Sequence, residues 1–228
     1  MKKIVVSAAM VVLLLCAVAG ISAQSGVAAR IDAIVEAPIK AGTIAGASVA
    51  VVRGSETIVD KAYGFADLEL DVPTPRGATY EIGSVTKQFT AAAILLLAQD
   101  GKLALDDELT KFLPDYPLQG QHVTVRRLLN HTSGIKGYTE MPEFGDLMAL
   151  KKPKNTLVTL FSGQPFDFPP GEEQIYNNSA FFLLGLIIEK TSGKSYADFV
   201  QERLFNPVGM RNSYYCSEQA IHKNHAHG

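Results

Sequence analysis

The chain has 228 residues, of which 47% are hydrophobic and 19% charged, with a net charge of −2 at neutral pH. This is the composition of a globular protein with room for one large domain or two small ones. The absence of any basic stripe or acidic block excludes a nucleic-acid binder and a protein held by charge on an anionic membrane, which leaves a small molecule or peptide as the expected partner.

The first residues read as a targeting segment. Met1-Lys2-Lys3 is a short positive start, Ile4 to Ala19 is almost wholly apolar, and Ile21-Ser22-Ala23 offers small residues for cleavage. That layout is a secretory signal peptide over residues 1–23, with a mature domain over 24–228, located in the periplasm or outside the cell. The alternative is a membrane anchor, but the apolar run is short for a span of about 20 residues, so no stable anchor is expected after cleavage. Lipid attachment at Cys16 is a further alternative, although Leu15 stands where a small residue would be expected. Cys216 is then the one cysteine of the mature chain, which rules out an internal disulfide. The sequence does not specify an oligomeric state.

Val27 to Ala37 has helical spacing and is expected to stop at Pro38. Gly46–Val52 and Thr57–Tyr63 read as two antiparallel strands joined by a tight Gly54-Ser55 turn. Asp67 to Thr79 reads as loop, with Pro73 and Pro75 as breakers. Ser84 to Ala98 contains neither Pro nor Gly, and its apolar stretch from Ala91 suggests a helix buried on every face. Short helices are expected at Val123–Leu129 and within Phe144–Phe161, the latter split at Pro153, and two more at Ser179–Lys190 and Tyr196–Leu204. The order is helix, two strands, then a helical block, which is α+β. Two strands make no independently stable sheet, so either they lean on the helices alone or further strands lie beyond Gly228, and the polar ending makes the chain read as C-terminally truncated.

Common signatures such as G-x-S-x-G, H-E-x-x-H and G-x-G-x-x-G are absent. S-x-x-K occurs twice, at Ser84/Lys87 and at Ser133/Lys136. Only the first lies in a helical pattern, where three residues place both side chains on one face. A serine hydroxyl needs a base to become a nucleophile, and a lysine amine can serve when burial or nearby positive charge favours its neutral form. Ser84 also falls at the start of the helix, where free N–H groups favour developing negative charge, so its own N–H is a candidate half of an oxyanion hole. The plainer reading is that Ser84 is an N-cap and Lys87 a solvated first-turn residue. Tyr176 and Asn178 stand two apart before a helix, which in extended backbone aims a phenol and a carboxamide to one side. The plainer reading is that Asn178 or Ser179 caps that helix and Tyr176 packs on it. His222, His225 and His227 form a cluster in the polar tail, but its spacing fixes no metal geometry, and neither metal nor cofactor is expected.

Together, Tyr80–Phe89 (YEIGSVTKQF), Leu128–Ile135 (LLNHTSGI), Phe168–Asn178 (FPPGEEQIYNN) and Phe205–Met210 (FNPVGM) resemble the serine β-lactamase and penicillin-binding-protein superfamily. The closest likeness is to the branch of class C β-lactamases, D-Ala-D-Ala carboxypeptidases and related esterases. The resemblance implies an antiparallel sheet packed on a helical domain with the active site between them. It implies an acylated serine at Ser84, a general base at Lys87, and Tyr176 and Asn178 in the same cleft, Tyr176 relaying a proton and Asn178 holding substrate. It implies hydrolysis of a β-lactam, a D-Ala-D-Ala peptide or a small ester. The family's third motif, a Lys or His, then a Ser, Thr or other residue, then Gly on a late strand, has no counterpart; His225-Ala226-His227-Gly228 comes too soon after Met210. A binding protein without turnover, or an inactive fragment, is the alternative expectation.

Overall fold

A computed structural model describes residues 26–145, 153–216, 220 and 222–227. The expected signal peptide and most of the first helical piece after Phe144 lie outside the described residues. The described residues fall into two compact units, one of residues 26–81 with 220 and 222–227, the other of those within residues 82–216.

The first unit opens with helix α1 over residues 26–40. It runs through Pro38, where the sequence suggested a stop. Proline forfeits its own N–H bond, but its carbonyl still accepts from Thr43 N–H at 2.9 Å, so the last turn closes around it. Strands β1 (Gly46–Arg53) and β2 (Glu56–Asp67) pair antiparallel, with Arg53 opposite Glu56 across the Gly54-Ser55 turn. Asp32 of α1 accepts from Lys61 Nζ at 2.8 Å and from Tyr63 OH at 2.7 Å, tying the helix to β2. Burial and the Asp32 carboxylate push the Tyr63 phenol up to about 12. A third strand, β3 (Val72–Pro73), pairs with β2 and gives the order β1-β2-β3. The sequence reading made this stretch a loop because Pro73 cannot donate to a ladder; on an edge strand that loss carries little cost. The described residues of the polar tail join this unit as well. His225 bridges to Thr79, and Thr79 N–H donates to Asn224 O at 2.9 Å. The His225 and His227 rings lie 4.9 Å apart, and no group of three metal-capable side chains occurs among the described residues.

The second unit is helical: α2 (Thr86–Gln99), α3 (Val125–Leu129), α4 (Lys154–Ser162), α5 (Asn178–Ser192) and α6 (Tyr196–Val200), the last continuing into a π-turn over Gln201–Phe205. Helix α5 is the core element. Ala180, Leu183, Leu184, Ile187 and Ile188 repeat at three- and four-residue steps and are wholly buried. They pack with Ala93, Ile94 and Leu97 of α2 and with Leu128 of α3 in one apolar cluster. Helix α2 is not buried on every face as its composition suggested. Its buried positions are Thr90, Ala93, Ile94 and Leu97, while Leu95 on the other side is 52% exposed.

Candidate active site

Ser84 lies in a single 3-10 turn, Gly83–Val85, that feeds directly into α2. Gly83 makes the entry possible, with φ +49, a conformation that a residue with a Cβ rarely adopts. The N-cap of α2 is Val85, and no side chain caps the helix, so Ser84 is not the plain capping serine of the alternative reading. Lys87, one turn on, donates to Ser84 Oγ at 3.2 Å.

The Tyr176–Asn178 segment meets this pair from the far side of the unit's sequence. Tyr176 Oη forms a short hydrogen bond with Ser84 Oγ. Lys87 Nζ donates to Asn178 Oδ1 at 2.7 Å and lies 4.6 Å from the centre of the Tyr176 ring. Asn178 Nδ2 donates to Thr139 Oγ1 at 3.1 Å, which fixes the amide so that its carbonyl faces the lysine. All four residues named from the sequence are therefore in one hydrogen-bonded network. For Tyr176, burial works to raise the phenol, but bonds from Lys87 and Ser84 and the lysine charge outweigh it, leaving the phenol below its ordinary value.

A loop not assigned any role from the sequence builds the seat for this segment. His131 O accepts from Ile175 N–H at 3.1 Å, and His131 Nδ1 accepts from Asn177 N–H at 3.1 Å. Asn130 O accepts from Gln174 Nε2 at 3.0 Å, and Thr132 O accepts from Gly171 N–H at 2.8 Å. Gly134, with φ +68, permits the close approach: a Cβ there would stand 2.0 Å from Phe168 O. Asn177, also unassigned, turns the chain into α5. Its Oδ1 accepts from Ala180 N–H at 2.8 Å as the N-cap, and its Nδ2 donates to Ile135 O. The capping asparagine is thus Asn177, which leaves Asn178 free to face Lys87. The second S-x-x-K copy is structural: buried Ser133 accepts from Ile135 N–H, and Lys136 pairs with Asp167 at 2.8 Å.

The network opens on a cleft of about 380 Å³ whose walls include Ser84, Lys87, Asn178, Phe181, Leu186 and Tyr196. The α5 residues Phe181, Phe182 and Leu186 give it an apolar wall, and Lys154 and Glu189 line it as well. Cys216 is exposed, and it does not line the cleft.

A family model described as Beta-lactamase matches residues 31–228. Protein flp of Staphylococcus aureus (strain MW2) is 32% identical over 190 residues, covering 82% of this chain and 38% of its own length. Penicillin-binding protein 4* of Bacillus subtilis (strain 168) is 35% identical over 169 residues, 73% of this chain and 37% of that protein. The crystal structure of D-amino acid amidase from Ochrobactrum anthropi SV3, complexed with L-phenylalanine amide, is 31% identical with a TM-score of 0.75, covering 87% of this chain and 56% of that one. The chain thus spans well under half the length of these curated relatives. With a match over residues 31–228, most of its length, the chain belongs to the beta-lactamase family.

Proposed function

We propose that this chain carries the nucleophile half of an exported acyl-serine hydrolase. The observation that carries the reading is the hydrogen-bonded set of Ser84, Tyr176, Lys87 and Asn178. Lys87 gives one N–H to Asn178 and one to Ser84 Oγ, which leaves the Ser84 hydroxyl proton directed at Tyr176 Oη. In the first step that proton passes to the Tyr176 phenolate, Oγ bonds to the substrate carbonyl carbon, and negative charge grows on the carbonyl oxygen beside the Ser84 N–H. The carbonyl–leaving-group bond then breaks as Tyr176 returns the proton to the departing nitrogen or oxygen. Water attacks the acyl-serine by the same proton route and regenerates Ser84. Against burial, which raises the Tyr176 phenol, the bonds from Lys87 and Ser84 and the Lys87 charge lower it, which eases formation of the phenolate.

The substrate class that suits the cleft is a β-lactam, a peptide ending in D-Ala-D-Ala or a small ester or amide, with an apolar group on the acyl side to lie along Phe181 and Leu186. The amidase similarity supports an amide of a D-configured amino acid among these. The test is the intact mass of the protein after exposure to a fluorescent penicillin and, separately, to a fluorophosphonate. One covalent equivalent lost in Ser84→Ala supports the reading; a Ser84→Ala protein that still labels ends it. A penicillin adduct that forms and is never released would make the protein a binder instead of a hydrolase.

A further inference from the structure

His131 stands outside the four-residue network, yet it holds the segment that delivers two of its members. Its ring packs 5.0 Å from the Tyr176 ring and 5.0 Å from the Phe181 ring. Its carbonyl and its Nδ1 accept from Ile175 and Asn177, the residues on either side of Tyr176. A backbone N–H only donates, so Nδ1 carries a lone pair and the neutral ring holds its proton on Nε2. The backbone at His131 is left-handed, φ +63, which costs a non-glycine residue energy and implies that the loop is held by these contacts. The titratable groups facing the ring are Lys87 from α2 and Tyr176 from the segment before α5; Phe181 of α5 covers it with an apolar face. Burial, and then the Lys87 charge, hold the imidazole below its ordinary value.

We infer that neutral His131 is a positioning residue for Tyr176 and Asn178, and that its protonation is a built-in acid switch of the site. With the lone pair present, the Asn177 N–H is pinned, and the residues flanking it face Ser84 and Lys87. A proton on Nδ1 sets donor against donor at Asn177 and adds a second cation beside Lys87, so the segment is released and Tyr176 leaves Ser84. This inference rests on the reading of Ser84 as nucleophile and Tyr176 as its proton acceptor.

The experiment is the rate of Ser84 labelling by a fluorophosphonate from about pH 4.5 to about pH 8, in the wild type, His131→Asn and His131→Leu. Asparagine tolerates left-handed backbone, can place Oδ1 near the Nδ1 position, and does not titrate. Two protonations, at the base and at His131, should make the wild-type rate fall about 100-fold per pH unit at the acid end, against about tenfold for the base alone. His131→Asn is expected to label within about threefold of wild type near neutrality and to keep the shallower fall in acid. His131→Leu is expected to be slower by about tenfold or more at every pH. An Asn variant with the wild-type acid slope, or a Leu variant with the wild-type rate, overturns the inference. If the Leu variant does not fold, the ring nitrogens are read by 15N-histidine NMR: proton on Nε2 at neutral pH supports the inference, and proton on Nδ1 overturns it. A wild type that labels at no pH overturns the nucleophile reading and this inference with it, whereas wild-type labelling with an unaltered Asn profile overturns only the role of His131.

Discussion

At Ser84, two neighbours converge on one oxygen, Tyr176 Oη bonding to it and Lys87 donating to it, while Gly83 bends the chain so that the serine stands at the entry to α2. The expected consequence of removing the phenol is specific. Tyr176→Phe should keep the fold and lower the fluorophosphonate labelling rate about 10²–10⁴-fold, the usual worth of a positioned acid–base group. A labelling rate equal to wild type would remove Tyr176 from proton transfer. His131 adds a pH term to stability as well. Its folded value lies below the ordinary 6.5, so the folded state prefers the neutral ring. That contribution is complete above about pH 6.5 and is lost as the pH falls through the lowered folded value. The denaturation midpoint should therefore fall more between neutral and acid pH in wild type than in His131→Asn, as followed by urea titration. Ser84 and Lys87 were legible in the sequence because their spacing equals one helical turn. His131 and Asn177 were not, because their partnership spans 46 positions and leaves no local pattern.

Among the elements, α5 has the largest structural share. Its N-terminus belongs to the site through Asn177 and Asn178, and its body is the core of the helical unit. These two roles separate on substitution. Leu184→Ala removes a wholly buried side chain and should cost about 2–5 kcal/mol, measured by chemical denaturation. Asn177→Ala removes the cap and strands the Ile135 carbonyl; it should cost about 1–3 kcal/mol and also slow labelling, because it loosens the turn that carries Tyr176 and Asn178. A full labelling rate in a destabilised Asn177→Ala protein would show that capping and site geometry are independent. The helical periodicity of α5 made it readable beforehand, within a residue or two at its ends. Strand β3 was missed because Pro73 was weighed as a breaker, a rule that holds for central strands and relaxes at an edge. The all-round burial expected of α2 failed at Leu95, since composition alone does not say which face of an apolar helix is covered.

For the molecule as a whole, sequence and structure agree on α+β architecture, with a three-stranded antiparallel sheet in one unit and a helical core in the other. The family match covers residues 31–228, and the curated relatives run well beyond the length matched here. All four proposed site residues lie in the second unit, within residues 82–216. The proposed cluster around Ser84 draws on the 3-10 turn and first turn of α2 and on the segment that enters α5. The most direct measurement of the central claim is intact mass spectrometry of the wild type and Ser84→Ala after incubation with a fluorophosphonate. The expected result is one phosphonyl group on the wild type, located by peptide mapping to Ser84, and none on Ser84→Ala. A wild type that stays unmodified, or a label that maps to any other residue, would contradict it.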